Sequence, residues 1–209
     1  MKKKYVMIIA TGFFRPDIRI LMKIKSSISR TWAGPARIFW SSKGLERLNT
    51  RRHSVVILLF NSQNINGHEM DRLRKFIHAG GGAIFLNRAV SSQNESKIFS
   101  DMIGARFKEH RELREYKFIP LDNSLIAKTE ETLINESFSE FTVQEDAVLC
   151  SEAVYDDETP LPSSWVKTFG KGRVFCFLPG ERLSTYKNEK IWNHLSKAFL
   201  WVSDSKRRE

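Results

Sequence analysis

The sequence lacks most of the features by which metal-dependent and cofactor-dependent enzymes are recognised. Only two of its 209 residues are cysteine, and only five are histidine. No cysteine or histidine pair has the spacing of metal ligands. The chain also has no GxGxxG motif, so a dinucleotide-binding turn is not indicated, although Thr11-Gly12 could allow close approach of a ligand. We therefore expect neither a metal nor a cofactor.

The sequence also has little that would place the protein outside the cytoplasm. Cys150 and Cys176 both lie in apolar, strand-like segments, which predicts buried, unreactive thiols in a reducing compartment rather than a disulfide. The apolar run at Tyr5–Ala10 follows three lysines but has no small-residue cleavage site, so a first strand is favoured over a signal peptide. No other run is long enough to span a membrane. The prediction is a cytoplasmic protein with no membrane partner.

Basic residues are scarce between residues 118 and 162. The overall net charge is +10, but residues 1–117 carry about +14, residues 118–162 about −10 and residues 163–209 about +6. A basic body with an acidic insert could bind nucleic acid or a phosphorylated ligand. We favour the alternative that the insert folds back onto the basic body and cancels much of the field. Nucleic-acid binding then rests on charge alone and is not expected.

The stretch from Ser54 to Leu86 predicts a β-α-β unit. Two continuously apolar runs, Ser54–Phe60 and Ala83–Leu86, are typical of strands buried on both faces. Between them, Asn66 and Glu69 have the spacing of a capping box at the start of a helix. A helical crossover of this length joins parallel strands.

Strands and helices alternate from the beginning of the chain. Further strands are predicted at Tyr5–Ala10 and Ala36–Trp40, and we expect these to lie parallel to the strands of the central unit, with helices on both faces of one sheet. The prediction is a single α/β domain over residues 1–203. Residues 204–209 are predicted to form a frayed basic tail.

The second half of the chain has a weaker pattern. Ser92 could cap a helix, and Ala105–Lys108 and Tyr116–Ile119 are predicted as short strands. Residues 118–162 are predicted to form an irregular acidic elaboration of the domain, with short strands and turns.

The pattern becomes clearer again near the carboxyl terminus. Ser164–Phe169 and Arg173–Leu178 flank a glycine turn and predict a β-hairpin. A last helix is predicted at Asn188–Val202, because its apolar residues recur at helical spacing.

Several polar residues directly follow predicted strands. In a parallel sheet, ligands bind outside the carboxyl ends of the strands, so we expect Gly12, Asn61, Asn87, Arg88 and Glu181 to gather around one cleft. The first four are the predicted ligand-binding residues. The amide and guanidinium of Asn87 and Arg88 suit a hydroxylated or anionic ligand, although a helix cap and a surface ion pair would explain them equally.

Two residues are candidates for acid–base chemistry. His110 lies among arginines and lysines, which would disfavour its protonated form; a solvated loop histidine is the plainer interpretation. Glu181 could act as a general base or orient a sugar hydroxyl, but a carboxylate at the amino end of a helix is equally consistent with the sequence.

Five segments resemble the trehalose-utilisation (ThuA-like) family in their order along the chain. These segments are Val55–Phe60, Ala79–Ala89, Phe99–His110, Phe141–Asp146 and Ser164–Phe175. The resemblance implies a fold similar to class I glutamine amidotransferases, a flavodoxin-like three-layer sandwich with a mainly parallel sheet. It also implies a carbohydrate-related ligand, while a homodimer stays open.

The chain departs from the family pattern at three positions. Asn87 stands where amidotransferases carry a nucleophilic cysteine and where ThuA-like proteins usually have a histidine. Glu181 also stands near a usual family histidine, and Arg111 replaces the proline that commonly follows the histidine matched by His110. A carboxamide is neither a nucleophile nor a base near neutral pH, which excludes thiol-based amide hydrolysis at position 87.

Two functions remain open from the sequence. The first is a ThuA-like protein that binds or processes a small polyhydroxy or sugar-like ligand without a nucleophilic cysteine. The second is a catalytically silent, amidotransferase-like binding or interaction module. The sequence does not decide whether the protein is an enzyme, because the fold alone does not determine function.

Overall fold

The computed structural model describes six stretches of the chain. They are residues 4–12, 17–31, 35–61, 65–123, 129–155 and 159–203. The predicted basic tail at 204–209 lies outside them.

The first part of the chain alternates strands and helices. Its elements are β1 (Tyr5–Gly12), α1 (Ile18–Thr31), β2 (Ala36–Phe39), a 3₁₀ helix (Ser42–Arg47), β3 (His53–Asn61), α2 (Gly67–His78), β4 (Gly82–Leu86), a 3₁₀ turn (Asn87–Ala89) and α3 (Lys97–Ile103). The rest consists of five consecutive strands followed by two helices. These elements are β5 (Ala105–Pro120), β6 (Thr132–Val143), β7 (Ala147–Val154), β8 (Leu161–Phe169), β9 (Gly172–Phe177), α4 (Leu183–Lys187) and α5 (Glu189–Ser203).

The nine strands of the described residues belong to one sheet, in the order β2-β1-β3-β4-β9-β8-β7-β5-β6. The strands β2, β1, β3, β4 and β9 pair in parallel and form the parallel half of the sheet. The predicted parallel arrangement of the first four strands is therefore confirmed. The predicted capping box is also present, because Asn66 and Glu69 exchange hydrogen bonds at the start of α2.

The other four strands, β8, β7, β5 and β6, form an antiparallel half. The prediction of a mainly parallel sheet is therefore wrong: the sheet is mixed, with four parallel and four antiparallel pairings. The expected irregular elaboration at 118–162 is also wrong, because most of this segment forms regular antiparallel strands of the same sheet. The connections from β5 to β6 (residues 121–131) and from β7 to β8 (residues 155–160) are shorter than the dozen or more residues that a parallel crossover needs, so these pairs are antiparallel.

Two local predictions need correction. The expected short strands at Ala105–Lys108 and Tyr116–Ile119 are the two ends of one sixteen-residue strand, β5. The charged residues between them are exposed on a hairpin and pair with β6, which the apolar pattern does not reveal. The helix expected to begin at Ser92 begins instead after Ser96, whose hydroxyl accepts a hydrogen bond from the Phe99 amide.

Helices cover both faces of the sheet. Successive residues of β8 point in opposite directions. The Ser164 hydroxyl lies 3.0 Å from the His194 imidazole of α5, whereas the Trp165 indole donates to the carbonyl of Ile103 at the end of α3 at 2.7 Å. The helices α3 and α5 therefore pack on opposite faces.

The core lies between the sheet and these helices, and it includes both cysteines. Cys150 and Cys176 are free and fully buried. Burial raises the pKa of the Cys150 thiol to about 12 and that of Cys176 well above its ordinary value. Their low reactivity stays a prediction. No helix among the described residues is long and apolar enough to cross a membrane.

Candidate functional site

A cleft of about 430 Å³ opens beside the carboxyl end of β4. We call it the Asn87 cleft. Its lining residues are Asn87, Arg88, Ser91, Ser92, His110, Arg111, Ser137, Phe138, Ser139 and Leu178. They come from the turn after β4, from the β5–β6 hairpin and from the end of β9. The parallel and antiparallel halves of the sheet therefore both contribute to the cleft.

Asn87 occupies a special backbone position at the end of β4. Its φ of 49° makes it the single non-glycine residue with positive φ among those the structure describes. Asparagine tolerates this left-handed conformation better than most residues. Its side-chain amide donates to the carbonyl of Leu178 at 2.9 Å. This bond ties the turn after β4 to the end of β9.

Arg88 and Glu181 meet across the cleft's edge. The Arg88 Nη2 lies 3.1 Å from Glu181 Oε1, while Glu181 Oε2 accepts from the Ser137 hydroxyl at 2.6 Å and from the Ser137 amide at 3.2 Å. Burial raises the pKa of Glu181, but the Ser137 hydrogen bonds and the Arg88 charge outweigh it and hold the pKa below its ordinary value. Glu181 is therefore an anion at neutral pH.

The segment that carries Glu181 is anchored by a buried carboxylate. Glu136 of β6 is 1% exposed and accepts from the backbone amides of Gly180, Glu181 and Arg182 at 2.7, 3.1 and 2.7 Å. The Thr185 hydroxyl also donates to it. Successive amides that converge on one anion form a backbone nest. Glu136 thus accepts hydrogen bonds from the loop that carries Glu181, and the adjacent Ser137 donates hydrogen bonds to the same loop.

His110 lies on the hairpin side of the cleft. Its Nδ1 is 3.0 Å from the Ser139 hydroxyl. Burial, together with the positive charge of Arg88, lowers the pKa of His110. The imidazole is therefore mostly neutral at pH 7 and can both donate and accept hydrogen bonds.

The structure brings together four of the six predicted site residues. Asn87, Arg88 and His110 line the cleft, and Glu181 contacts it through Arg88 and Ser137. The other two, Gly12 and Asn61, pair with each other at the carboxyl ends of β1 and β3 but are not among the residues that line this cleft. The binding and catalytic roles of all six stay predictions.

Three residues of β6 escaped the sequence-based prediction: Glu136, Ser137 and Ser139. They lie in the acidic segment, where a glutamate normally indicates a solvated surface. One signal was available in the sequence: Ile134, Glu136 and Phe138 are two residues apart and therefore point to the same face of a strand. The structure buries all three. A glutamate in the inward register of a strand indicates a buried and hydrogen-bonded carboxylate.

Comparison with known proteins places the chain in a family. The family model described as trehalose utilisation (ThuA) matches residues 33–202. The chain belongs to the ThuA family. Comparison with curated protein sequences gives no match.

Solved structures share the fold of this ThuA-family chain. A protein described as ThuA-like from Bacteroides uniformis ATCC 8492 superposes with a TM-score of 0.71 at 13% identity, covering 97% of this chain and 93% of the other. A second protein described as ThuA-like, from Parabacteroides merdae ATCC 43184, has a TM-score of 0.71 at 12% identity and covers 100% and 92%.

A third structure with the same fold is part of a larger enzyme. The cold-adapted β-galactosidase from Rahnella sp. R3 has a TM-score of 0.68 at 10% identity and covers 95% of this chain and 32% of that one. At such low identities, these three likenesses show a common fold only.

The chemistry available in the Asn87 cleft is that of hydrogen bonding. It offers four serine hydroxyls, one amide, one neutral imidazole and two guanidinium groups. No group of three or more histidine, cysteine, aspartate or glutamate side chains among the described residues could hold a metal ion. Asn87 supplies no nucleophile at the strand end. The arrangement therefore favours recognition of a polar ligand over covalent catalysis.

Proposed function

We propose that this ThuA-family protein binds a polyhydroxylated, carbohydrate-related ligand in the Asn87 cleft. The observation that carries the proposal is the clustering of four serine hydroxyls with the neutral His110 imidazole in one cleft. Hydroxyl and imidazole groups donate and accept, as the hydroxyls of a sugar do. Phe138 and Leu178 also line the cleft, but both are almost fully buried. The trehalose-utilisation description of the family supports the same ligand class.

Whether the bound ligand is also processed divides the proposal into two forms. In the first, His110 acts as a general base; its lowered pKa keeps the imidazole neutral and so able to accept a hydrogen bond from a ligand hydroxyl, although it also makes it a weaker base. In the second, the protein binds without chemistry. The second form is favoured by Asn87 at the strand end and by Glu181, whose oxygens both already accept hydrogen bonds.

Calorimetric titration with trehalose and glucose tests the proposal. Ser139→Ala removes one hydroxyl from the cleft and leaves His110 without that partner, so affinity should fall by about 1 kcal/mol, roughly fivefold. Ser26→Ala, on α1 and outside the lining of the cleft, is the matched control and should bind like wild type. Equal affinity of wild type and Ser139→Ala would place the ligand elsewhere.

Asn87 gives a second test of the same site. Asn87→Gly removes the side-chain amide and leaves a residue that accepts the observed positive φ without strain. Loss of a hydrogen-bonding group from the cleft should weaken binding by roughly 1–3 kcal/mol. Incubation of wild type with the bound sugar, followed by product analysis, then separates binding from processing; an unchanged sugar supports the silent form.

A further inference from the structure

Both arginines that line the Asn87 cleft already face carboxylates. Arg88 Nη2 lies 3.1 Å from Glu181 Oε1. Arg111 contacts Glu140 Oε2 through Nη2 at 2.9 Å and through Nε at 3.1 Å. His110 is mostly neutral, because burial and the Arg88 charge lower its pKa. Glu140 also accepts from Lys108 through Oε1 at 3.0 Å, so two cations share its charge, whereas the Glu181 carboxylate offsets the charge of Arg88.

Glu181 is fixed in its position beside Arg88. Its Oε2 is held by the hydroxyl and the amide of Ser137, and its own backbone amide donates to the buried carboxylate of Glu136. The carboxylate cannot swing away from Arg88 without giving up its hydrogen bonds to Ser137. An anionic ligand that approached Arg88 would meet this fixed negative charge.

We propose that Glu181 is a specificity-determining residue, whose carboxylate masks Arg88 so that the Asn87 cleft admits neutral hydroxylated ligands and rejects phosphorylated ones. This deepens the proposed function and rests on it for the identity of the cleft as a binding site. A phosphate group can bind Arg88 only by displacing the Glu181 carboxylate or by lying beside it. Repulsion between like charges disfavours the second arrangement.

The ion pair between Arg88 and Glu181 contributes little to the stability of the fold. The side chains of Arg88 and Glu181 are 46% and 31% exposed, and solvent-exposed pairs contribute little to folding. Glu181→Gln is therefore expected to fold. Glutamine keeps one carbonyl oxygen that can accept from Ser137, removes the negative charge and replaces the other oxygen with an NH2 group.

The experiment is a calorimetric titration of inorganic phosphate and of glucose 6-phosphate into wild type and Glu181→Gln. Unmasking Arg88 should increase the affinity for both by at least about tenfold, as expected for one charge-assisted hydrogen bond. The double variant Glu181→Gln, Arg88→Ala should lose this gain. Asp101→Asn removes the same charge from an exposed ion pair with Lys97 on α3 and should bind phosphate no better than wild type.

Three outcomes overturn the proposal. They are equal phosphate affinity in wild type and Glu181→Gln, a gain of the same size in Asp101→Asn, and a gain that survives loss of Arg88. Circular dichroism and thermal melting of each variant check that the fold is retained. Because binding of inorganic phosphate to Glu181→Gln is measured without any sugar, its failure is distinguishable from failure of wild type to bind trehalose or glucose.

Discussion

The two halves of the sheet bury different kinds of residue. In the parallel half, all five residues of β4 are buried, and β3 is continuously apolar from Val55 to Phe60. In the antiparallel half, β5 exposes most of its central residues, and β6 buries the carboxylates of Glu136 and Glu140. The parallel half thus supplies a rigid apolar frame, and the antiparallel half brings polar groups to it.

The Asn87 cleft lies where these two halves meet. The parallel half contributes the turn at Asn87 and Arg88, and the antiparallel half contributes His110, Ser137 and Ser139. The difference teaches that the frame fixes the place of the site, whereas the added strands determine its chemistry. Each of the following predictions tests one side of this division or the seam between them.

The largest effect is expected at Glu136, the polar anchor of the antiparallel half. Glu136→Ala would leave three backbone amides and the Thr185 hydroxyl without their acceptor. Each buried group left unpaired costs about 1–3 kcal/mol, so we expect the free energy of unfolding to fall by about 4 kcal/mol. Urea denaturation measures this change.

Glu112→Ala is the matched control, since Glu112 is exposed on the same hairpin. It should change the free energy of unfolding by less than about 0.5 kcal/mol. If Glu136→Ala lost as little stability as Glu112→Ala, the antiparallel half would tolerate removal of its buried anchor, and the contrast with the apolar frame would fail.

A buried histidine, packed where the two halves of the sheet meet, makes the stability of the protein depend on pH. His194 of α5 is 1% exposed, and burial, with a contribution from Lys197, lowers its pKa to about 4 from 6.5. At pH values between 4 and 6.5, His194 binds a proton in the unfolded chain but stays neutral in the folded protein. Burial of the neutral imidazole therefore costs no stability above pH 6.5. As the pH drops from 6.5 toward 4, the free energy of unfolding falls by about 3 kcal/mol.

Urea denaturation at several pH values between 7 and 4 should show this fall. His194→Gln removes the titrating group, so its profile should be flatter than that of wild type by the same amount. His68→Gln, on the exposed surface of α2, should keep the wild-type profile. Parallel profiles for wild type and His194→Gln would show that the acid sensitivity arises elsewhere.

A smaller effect tests the close packing of the parallel half. A Cβ added at Gly172 of β9 would lie 2.1 Å from the Ile77 carbonyl oxygen and 2.4 Å from that of Gly81. Backbone atoms cannot yield as a flexible side chain can, so Gly172→Ala should destabilise the protein by about 2 kcal/mol. Thermal denaturation and, independently, urea denaturation measure this change in the free energy of unfolding.

Gly67→Ala provides the comparison within the same half. Nothing lies within 4 Å of a Cβ added there, so its stability should stay within about 0.5 kcal/mol of wild type. If Gly172→Ala were equally mild, the helix α2 would not pack as closely against β9 as its contacts indicate.

The frame could be predicted from the sequence because its signals are local. The buried runs of β3 and β4 and the capping box at Asn66 depend on neighbouring residues, and glycines mark the β8–β9 turn. The length of β5 could not be predicted in this way. Its central residues, 108–115, are charged or exposed, and their pairing with β6 compensates for the missing apolar pattern.

Topology predicted the part of the site that belongs to the frame, whereas His110, on the antiparallel strand β5, was a candidate only because of its residue type and its match to a family histidine. Asn87, Arg88 and Glu181 follow strands, so topology alone brings them near one edge of the sheet. The anchoring by Glu136 was not predictable, because its partners lie more than forty residues away and are backbone amides rather than a particular side chain. The partnership of Ser139 with His110 depends in the same way on the register of the β5–β6 hairpin.

The two outer strands of the sheet bear on how copies of this protein behave at high concentration. An uncovered edge offers backbone groups to which another chain can add, which is a common route to aggregation. The edge strand β2 is only four residues long, and at the opposite edge the Ser137 amide of β6 is already taken by Glu181. The same carboxylate that borders the cleft therefore also occupies one backbone donor of an edge strand, which an added chain could use only by displacing Glu181.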